Sequence, residues 1–494
     1  MTDPIAQAAQ TTVYPLIAMR ARTTPDKLAL IDGATDLTFH QLVQRIDRCA
    51  AGLAARGLVR GERVVVISEN SLDYVVLGLA GAKLGLMTAC QNTRLSPAEL
   101  DYCTTLVEPS LIVASARQMD VARGLTAGVE VTGFDSLAAD GDTTCAAGPE
   151  DGLFIIYTSG TTGRPKAAVI SHRAQLARMS TLRLDLGILP GDGYVSWAPM
   201  YHIGGTEHLV STLMSGAPGY VVDGFDADAI IDALERFPVG WLLLVPATIE
   251  PLIDRLEVRK PTIRGVRAVG CMADLVPSDV IAKITRLVGA PYLDSFGATE
   301  TGMGPLSSHL IPVGDRPTEF VKRLSSLTEL RLCDPQGRDV PDGEAGEAWV
   351  RGPTVFSGYW NNAAVNQKDF AEGWFHMGDM FRREGDGYVF VGRSKYLIKS
   401  GGENIYPAEI ERVLLSDPRV ADAIVVRKPD PKWGEVPVAV IARAADLDEA
   451  AVIALCRAEL ASYKRPKAVI FVEMDALPRS VSGKILREEV EKLV

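Results

Sequence analysis

A run of ten residues at positions 157–166 has a composition suited to binding a phosphate group. It reads YTSGTTGRPK, with one serine, three threonines, two glycines and a terminal lysine. Hydroxyl groups and a lysine donate hydrogen bonds to an anion, and glycines allow backbone N–H groups to approach it closely. The apolar run LFII at positions 153–156 precedes it, so the polar run is expected to follow a buried strand.

The run differs from a Walker A loop, in which the lysine follows the last glycine directly. Here Arg164 and Pro165 separate Gly163 from Lys166, and a proline at this point would stop the helix that begins in a Walker A loop. Clusters of threonine, glycine and proline are also typical of ordinary turns. These residues alone leave two interpretations open, a phosphate-binding loop and a polar hairpin.

Length and charge limit the class of protein. The chain has 494 residues, more than the roughly 250–300 at which single cores stop growing, so at least two domains are expected. The net charge is −11, and no run of Lys and Arg is long enough to form a nucleic-acid or membrane patch. We therefore expect neither a nucleic acid nor a membrane as a partner.

The cysteine pattern favours a reducing compartment. The chain has seven cysteines, an odd number, and none forms a CxxC pair. We expect reduced and mostly buried thiols rather than a disulfide frame or a zinc site, and a cytoplasmic location. No signal peptide is evident at the N-terminus, and no uninterrupted apolar run reaches the roughly 18 residues of a transmembrane helix.

Alternating strands and helices predict an α/β fold. Apolar strands with helices between them are expected at 63–68, 219–222, 240–245 and 266–270. The first helix is expected to be capped by Asn70. Continuous apolar strands that alternate with helices indicate buried parallel sheets with right-handed crossovers. The pattern therefore predicts a large N-terminal domain of parallel-rich βαβ sheets.

The character of the chain changes in its last third. Residues 326–399 predict short antiparallel strands with glycine turns, a small β-barrel-like part of the large domain. A helix after Pro407 and two following strands predict a small α+β C-terminal domain. We place the boundary at a charged stretch, which gives domains at 1–393 and 396–494.

Four further segments share the polar, glycine-rich character of the first run. They are DSFGATETG at 294–302, WFHMGD at 374–379, GRSKYLIKSGGENIYPAEIE at 392–411 and PRSVSGK at 478–484. With YTSGTTGRPK, and in this order over essentially the whole chain, they resemble the adenylate-forming superfamily of acyl-CoA synthetases, carrier-protein adenylation domains and luciferases. The resemblance implies that ATP activates a carboxylic acid to an acyl-adenylate with release of pyrophosphate, and that the acyl group then passes to a thiol.

The resemblance also implies the nucleotide site. Glu300 would hold Mg²⁺, because a carboxylate beside a triphosphate needs a cation between them. Asp294 and Phe296 would bracket the adenine, and Asp379 would bind both ribose hydroxyls. The implied nucleotide-binding residues are Thr158, Ser159, Gly160, Thr161, Thr162, Gly163, Lys166, Gly270, Cys271, Met272, Asp294, Ser295, Phe296, Gly297, Asp379 and Arg393. The implied catalytic residues are Lys484, His202, Thr299 and Glu300.

The second half-reaction is implied to follow a rotation of the small domain about Lys395. The rotation would remove Lys484 from the reacting carboxylate and α-phosphate and bring in a tunnel of glycine backbone, beside Asn404, for a pantetheine arm. The implied thiol is coenzyme A, whose nucleotide would meet an aromatic ring and cations. The implied CoA-binding residues are Lys399, Ser400, Gly401, Gly402, Trp433, Tyr463, Arg465 and Lys467.

The sequence says less about the acid. The implied pocket has room for an aromatic ring or a medium acyl chain and contains Ile203, Gly204, Gly205, Val245, Ala247, Gly297, Ala298 and Met303. His202 would gate it. An inward-facing Glu207 would favour an amino-bearing acid, although Glu207 and His208 are expected to face outward or to satisfy each other. The segment 320–324 departs from the Gly-Arg-Pro turn expected there.

Two other interpretations stay open. The chain could be a free-standing adenylating enzyme that loads a carrier protein or uses another acceptor. It could also be a non-catalytic nucleotide-binding relative. The second is disfavoured because all the charged residues of the motifs are present, namely Lys166, Glu300, Asp379, Arg393 and Lys484.

Overall fold

The computed structural model describes residues 4–159, 165–400, 403–479 and 485–494. In this part of the chain the α-helices are α1 (Pro4–Ala8), α2 (Val13–Thr23), α3 (Phe39–Ala55), α4 (Leu72–Leu84), α5 (Pro97–Leu106), α6 (Met119–Arg123), α7 (His172–Leu186), α8 (Ile203–Met214), α9 (Ala227–Arg236), α10 (Pro246–Arg259), α11 (Ser278–Val288), α12 (Ala363–Asp369), α13 (Pro407–Leu415), α14 (Glu449–Glu459) and α15 (Arg487–Glu491). The strands are β1 (Leu28–Ile31), β2 (Asp36–Thr38), β3 (Arg63–Ile67), β4 (Met87–Cys90), β5 (Leu111–Ala114), β6 (Val131–Gly133), β7 (Gly152–Ser159), β8 (Pro165–Ser171), β9 (Tyr194–Ser196), β10 (Gly219–Val221), β11 (Val239–Leu242), β12 (Val266–Val269), β13 (Tyr292–Ala298), β14 (Gly302–Ile311), β15 (Glu329–Cys333), β16 (Ala345–Arg351), β17 (Phe370–Ala371), β18 (Trp374–Glu384), β19 (Gly387–Arg393), β20 (Ile398–Ser400), β21 (Glu403–Ile405), β22 (Val420–Asp430), β23 (Gly434–Arg443) and β24 (Ala468–Val472).

The first sheet of the N-terminal part has six strands in the order β6-β5-β3-β4-β7-β8. Neighbouring strands are parallel except β7 and β8, which are antiparallel. Strands β4 and β5 are buried along their whole length, as continuous apolar runs require. The predicted buried parallel sheet is confirmed, and its last pair sets Thr158 opposite Lys166.

The predicted helix cap at Asn70 is wrong. Helix α4 is capped one residue later, where the Ser71 hydroxyl accepts from the Tyr74 backbone N–H. The Asn70 amide instead donates to the carbonyl groups of Ala198 and Val222, 2.9 Å away in each case. Asparagine and serine are both common caps, so the two adjacent positions could not be told apart from the sequence.

Two further sheets complete this part, in the orders β2-β1-β10-β9 and β11-β12-β13-β14. In the second, β11, β12 and β13 run parallel and β14 returns antiparallel to β13. The carboxyl ends of the three parallel strands therefore meet at one edge of the sheet. This edge is where α/β proteins commonly bind ligands.

The chain divides into two compact units, Met1–Glu329 with Val350–Phe375 and Leu330–Trp349 with His376–Val494. The second unit contains the strands β15, β16, β18 and β19 and a second sheet in the order β21-β20-β23-β22, with β24 parallel to β23. The boundary at 393–396 and the hinge at Lys395 stay predictions. Among the described residues no helix has the length and apolar character needed to cross a membrane.

The last sheet buries both of its faces. On β22, Ala423 and Val425 pack into one apolar cluster, while Ile424 and Val426 pack into another. Successive residues of a strand point to opposite faces, so this alternation requires cover on both sides. The cysteines are mostly buried, as predicted, and Cys145 is the exposed one.

Candidate active site

At the carboxyl edge of this sheet the loop after β12 contacts both the loop after β11 and strand β13. The Cys271 thiol donates to the Leu244 carbonyl at 3.2 Å. The Met272 backbone N–H donates to the Ser295 hydroxyl on β13, also at 3.2 Å. The structure therefore brings a wall formed by residues 270–272, three of the predicted nucleotide-binding residues, beside the DSFGATETG segment.

Backbone geometry accounts for the composition of that wall. Gly270 has a φ of +80°, and a Cβ there would lie 2.2 Å from the Tyr292 ring, so only glycine fits. Met272 also has a positive φ, +49°, which is uncommon for a residue with a side chain. Cys271 is buried, and its hydrogen bond to Leu244 holds its side chain against the loop after β11.

The turn that carries Glu300 is fixed from within by Thr301. The Thr301 hydroxyl accepts from the Ala298 N–H at 3.3 Å and donates to the Gly304 carbonyl at 2.6 Å. The Phe356 N–H donates to the Glu300 carbonyl at 2.8 Å. The backbone at Glu300 is therefore held from two sides.

Lys166 and Glu300 converge on one tyrosine, Tyr359. Its hydroxyl donates to the Glu300 carboxylate at 2.7 Å, and the Lys166 ammonium lies 3.9 Å from the centroid of its ring. Asp369 pairs with Lys166 at 3.4 Å. The segment 357–360 reaches this place because it hydrogen-bonds along β8. Sequence analysis missed Tyr359 and Asp369, which no motif marks.

Thr158 has a buried hydroxyl without a hydrogen-bond partner among the described residues. Buried polar groups are normally satisfied, so this hydroxyl is suited to a ligand beside Lys166. Ser159 ends the same strand, β7. The other predicted phosphate-binding residues, Gly160, Thr161, Thr162 and Gly163, lie outside the described residues.

The carboxylate oxygens of Glu300 are suitable ligands for a magnesium ion. One carboxylate oxygen accepts from Tyr359, and a carboxylate has further lone pairs for a hard cation. No group of three or more His, Cys, Asp and Glu side chains in the described ranges is arranged to hold a metal. Mg²⁺ at nucleotide sites commonly uses one or two carboxylates together with phosphate oxygens, and these residues fit that pattern.

The predicted acyl pocket begins at the N-terminus of α8. His202 is the residue before the helix and lies edge-on against Tyr201 at 4.7 Å. A Cβ on Gly204 would lie 2.8 Å from the Leu243 side chain, and one on Gly205 would lie 2.4 Å from a backbone carbonyl. The start of α8, including Ile203, therefore passes close to the end of β11.

The remaining pocket residues lie on the neighbouring elements. Val245 is half-buried and Ala247 exposed at the start of α10. Ala298 pairs with Gly302 in the β13–β14 hairpin, and a Cβ on Gly297 would lie 3.1 Å from the backbone of Met303. These predicted residues surround the ends of adjacent strands.

Glu207 faces inward on α8 and pairs with an arginine that sequence analysis missed. The Arg178 guanidinium donates to its carboxylate at 2.7 Å, with side-chain exposures of 1% and 4%. Arg178 also donates to the Thr299 carbonyl at 3.2 Å and to the Thr354 carbonyl at 2.8 Å. We expected Glu207 to face outward or to pair with His208. That expectation is wrong, because Glu207 pairs with Arg178 on α7 inside the protein.

His208 is buried against two aromatic rings, Tyr194 at 5.8 Å and Trp241 at 4.6 Å. Burial lowers the pKa of His208 to about 4, so its ring is neutral at pH 7. One oxygen of Glu207 accepts from Arg178, while its Oε1 is buried without a hydrogen-bond partner among the described residues, so the amino-bearing acid stays a prediction.

A buried lysine links the two predicted sides of the adenine site. The Lys322 ammonium lies 2.5 Å from Asp294 and 2.5 Å from Asp274. His309 approaches the second oxygen of Asp294 at 3.5 Å. Lys322 belongs to the segment 320–324 that departs from the resemblance, and that departure was the signal that could have found it.

In the second unit the hairpin of β18 and β19 places Asp379 opposite Arg393. The Arg393 guanidinium donates to the Asp379 carboxylate at 2.9 Å. Lys395, the predicted hinge, lies in the 3-10 turn Ser394–Tyr396 and pairs with Glu488 at 3.0 Å. An ion pair this exposed contributes about 0–1 kcal/mol, so it adds little resistance to a backbone rotation at Lys395.

Part of the predicted CoA-binding set lies together on the C-terminal sheet. Ser400 pairs with Gly434, which follows Trp433, and the Lys399 N–H donates to Glu435 at 2.9 Å. The side chain of Trp433 is 43% exposed, so it can stack on a base.

The rest of that set lies near the end of α14. Tyr463 is 38% exposed, and Lys467 is exposed. The Arg465 guanidinium donates to the Leu460 carbonyl at 3.1 Å, which ties it to the end of the helix and makes it less available for a base than predicted. Gly401, Gly402 and Lys484 lie outside the described residues.

Known proteins match both parts of the chain. The pattern of the AMP-binding enzyme family covers residues 17–360, and that of the AMP-binding enzyme C-terminal domain covers residues 409–484. The indoleacetate–CoA ligase of Aromatoleum aromaticum is 34% identical over 97% of each chain. A feruloyl-CoA synthase of an Amycolatopsis species is 33% identical over 96% of this chain and 97% of its own. The O-succinylbenzoate coenzyme A synthetase of Bacillus subtilis, in complex with ATP and magnesium ion, has a TM-score of 0.85 at 26% identity, covering 97% of this chain and 99% of that one.

Proposed function

Because the chain belongs to the family of AMP-binding enzymes, we propose that it is an AMP-forming ligase that joins a carboxylic acid to coenzyme A. The acid carboxylate attacks the α-phosphorus of ATP, the bond to pyrophosphate breaks, and an acyl-adenylate forms. The CoA thiol then attacks the acyl carbon, the carbon–oxygen bond breaks, and AMP leaves. The observation that carries the proposal is the convergence of Lys166 and Glu300 on Tyr359.

The residues of the chain supply charge and position. Both reactants of the first step are anions, so catalysis needs neutralisation at the phosphates. Lys166 and the Thr158 hydroxyl provide donors, and Mg²⁺, when bound, stabilises the phosphate charge as a Lewis acid. Glu300 would hold the ion, and Tyr359 orients that carboxylate. Asp379 would bind the ribose hydroxyls, with Arg393 fixing its orientation.

We propose an aromatic acid as the substrate. Indoleacetate, ferulate and succinylbenzoate, named for the relatives, each carry an aromatic ring. The proposed pocket offers backbone and apolar groups at Gly204, Gly205, Val245 and Met303, and no lysine or arginine belongs to it.

The acceptor and the location follow from different observations. The relatives of the chain are named as CoA ligases or synthases, and their names mention no carrier protein. A cytoplasmic location is proposed from the cysteine pattern, since an odd number of mostly buried cysteines without a CxxC pair is typical of reducing compartments.

The function is tested by measuring pyrophosphate release with a panel of aromatic and medium-chain acids, with and without CoA. We expect continuous turnover only when ATP, Mg²⁺, one of the aromatic acids and CoA are all present. Steady pyrophosphate release that CoA does not accelerate would favour another acceptor. The absence of pyrophosphate release with every acid would favour a non-catalytic nucleotide-binding protein.

Tyr359→Phe is expected to reduce the rate of adenylate formation about tenfold and to raise the Mg²⁺ concentration needed for half-maximal rate. The variant keeps the ring under Lys166 but removes the hydrogen bond to Glu300, and a bond to a charged group is worth about 1.5–3 kcal/mol. Steady-state rates over a Mg²⁺ titration give the measurement. An unchanged Mg²⁺ dependence would contradict the orienting role, and Tyr388→Phe on β19 serves as the control.

Trp433→Ala combined with Tyr463→Ala is expected to raise the KM for CoA at least about 30-fold, because each exposed ring offers about 1–2 kcal/mol of stacking or cation–π contact. The KM values for ATP and the acid are expected to stay unchanged. Pantetheine, which lacks the nucleotide, is expected to react equally well with both proteins. An unchanged KM for CoA would show that its nucleotide binds elsewhere.

A further inference from the structure

The end of α12 places a carboxylate beside the lysine of the proposed phosphate site. The Asp369 carboxylate lies 3.4 Å from the Lys166 ammonium, and the side chains are 21% and 12% exposed, respectively. The ammonium also lies 3.9 Å from the centroid of the Tyr359 ring. The charge of Lys166 is therefore mostly shielded from water and is already paired with one carboxylate.

Helix α12 is fixed to the segment that carries Tyr359. The Asn366 side chain accepts from the Tyr359 backbone N–H at 2.8 Å and donates to the Tyr359 carbonyl at 2.9 Å. Phe370, the residue after Asp369, packs against the ring of Phe356 at 5.3 Å. The backbone of Asp369 is therefore held on both sides, whereas its partner lysine has a flexible four-carbon stem.

Helix stability does not account for an aspartate at this position. Asp369 is the last residue of α12, where the carbonyl groups of the helix present partial negative charge. A carboxylate is unfavourable there, and a lysine or arginine is the favourable residue. The cation that offsets this cost is Lys166 on β8, which the fold brings from 203 positions away along the chain.

A phosphate group on Lys166 would be weakened by Asp369 in either of two arrangements. If the pair stays intact, a phosphate oxygen that accepts from the ammonium lies within about 6 Å of the carboxylate. Like charges at this separation in a partly buried place lower an affinity about tenfold or more. If Lys166 instead turns away toward the phosphate, Asp369 is left mostly buried without its cation, which is also costly.

We propose that Asp369 is a positioning residue that pairs with Lys166 whenever the phosphates leave and thereby speeds the release of pyrophosphate. The inference rests on the proposed function, because it assumes that Lys166 holds the β- and γ-phosphates. These two phosphates leave as pyrophosphate, while AMP keeps only the α-phosphate. Asp369 is therefore expected to weaken the binding of pyrophosphate and ATP but not of AMP. Differences in affinity at one site are mostly differences in the rate of release.

The test is calorimetric titration of the whole protein with MgATP, magnesium pyrophosphate and AMP, in the absence of acid. Asp369→Asn removes the charge and keeps the shape. It is expected to bind MgATP and magnesium pyrophosphate about tenfold more tightly, with an unchanged Kd for AMP. Glu372→Gln is the matched control, because it removes an exposed negative charge from the same segment, and all three Kd values are expected to stay unchanged. Asp369→Ser provides a second neutral replacement if the asparagine variant does not fold.

A merely structural aspartate gives a different pattern. In that case Asp369→Asn changes the Kd values of all three ligands by the same factor, or changes none of them, and either result overturns the proposal. Weaker binding of MgATP by the variant overturns it as well, since Asp369 would then orient Lys166 toward the phosphates. Acid activation does not enter the titration. A protein that shows the expected pattern but activates no acid therefore refutes the proposed function and supports the role of Asp369.

Discussion

Arg178→Met is expected to lower the free energy of unfolding of the first compact unit by about 3–5 kcal/mol. The substitution leaves Glu207 as a buried charge without its cation, and breaking a buried ion pair from one side has this cost. It also frees the carbonyl groups of Thr299 and Thr354. Urea-induced unfolding followed by tryptophan fluorescence measures the change.

The double variant Arg178→Met, Glu207→Leu is the matched control. Both variants lose the bonds to the two carbonyl groups, so the difference between them isolates the unpaired Glu207. We expect the double variant to recover most of the lost stability, because replacing a buried pair by apolar groups is often close to neutral. A double variant as unstable as the single one would show that the carbonyl bonds, and not the charge, carry the effect.

Lys484→Ala is expected to slow adenylate formation by about 10²–10³, the usual effect of losing one donor that stabilises transition-state charge. The resemblance assigns Lys484 to the reacting carboxylate and α-phosphate, where negative charge grows in the first half-reaction only. Thioester formation from supplied acyl-adenylate is therefore expected to continue at nearly the normal rate. Single-turnover assays of the two half-reactions give both rates.

Lys492→Ala controls for the loss of a C-terminal cation. Lys492 is an exposed lysine that pairs with Glu489 on the surface, and both half-reactions are expected to be unaffected by its removal. Equal loss of both half-reactions in Lys484→Ala would contradict the assigned role. It would mean that the lysine supports the active site in general and not the charge that develops during adenylation.

Short sequence patterns were enough to predict several strands and helices and their order along the chain. The apolar runs at 63–68 and 266–270 became β3 and β12, and the helix expected after Pro407 is α13. Strands of this kind are specified by a short sequence pattern and need no distant partner to be recognised. The cap of α4 was misplaced because Asn70 and Ser71 have similar preferences, and only the distant carbonyl groups that hold Asn70 decide between them.

The residues that sequence analysis missed all interact with residues that are far away in the sequence. A lysine or arginine in a sequence is expected at the surface, so nothing local marks Lys322 or Arg178 as buried, although the departure at 320–324 from the resemblance points to the segment that contains Lys322. Each becomes recognisable only when the fold brings carboxylates to it. Tyr359 is likewise placed by the pairing of its segment with β8, a register that the sequence of the segment does not reveal.

The central claim is attack of the acid on the α-phosphorus of ATP. It is tested most directly with the panel acid that turns over fastest, labelled with ¹⁸O in both carboxylate oxygens, in the presence of ATP, Mg²⁺ and CoA. One labelled oxygen bonds to phosphorus in the first step and leaves with AMP in the second. Mass spectrometry is therefore expected to find one ¹⁸O in each AMP and none in pyrophosphate. Label in orthophosphate with ADP as the product, or AMP without label, would contradict the account.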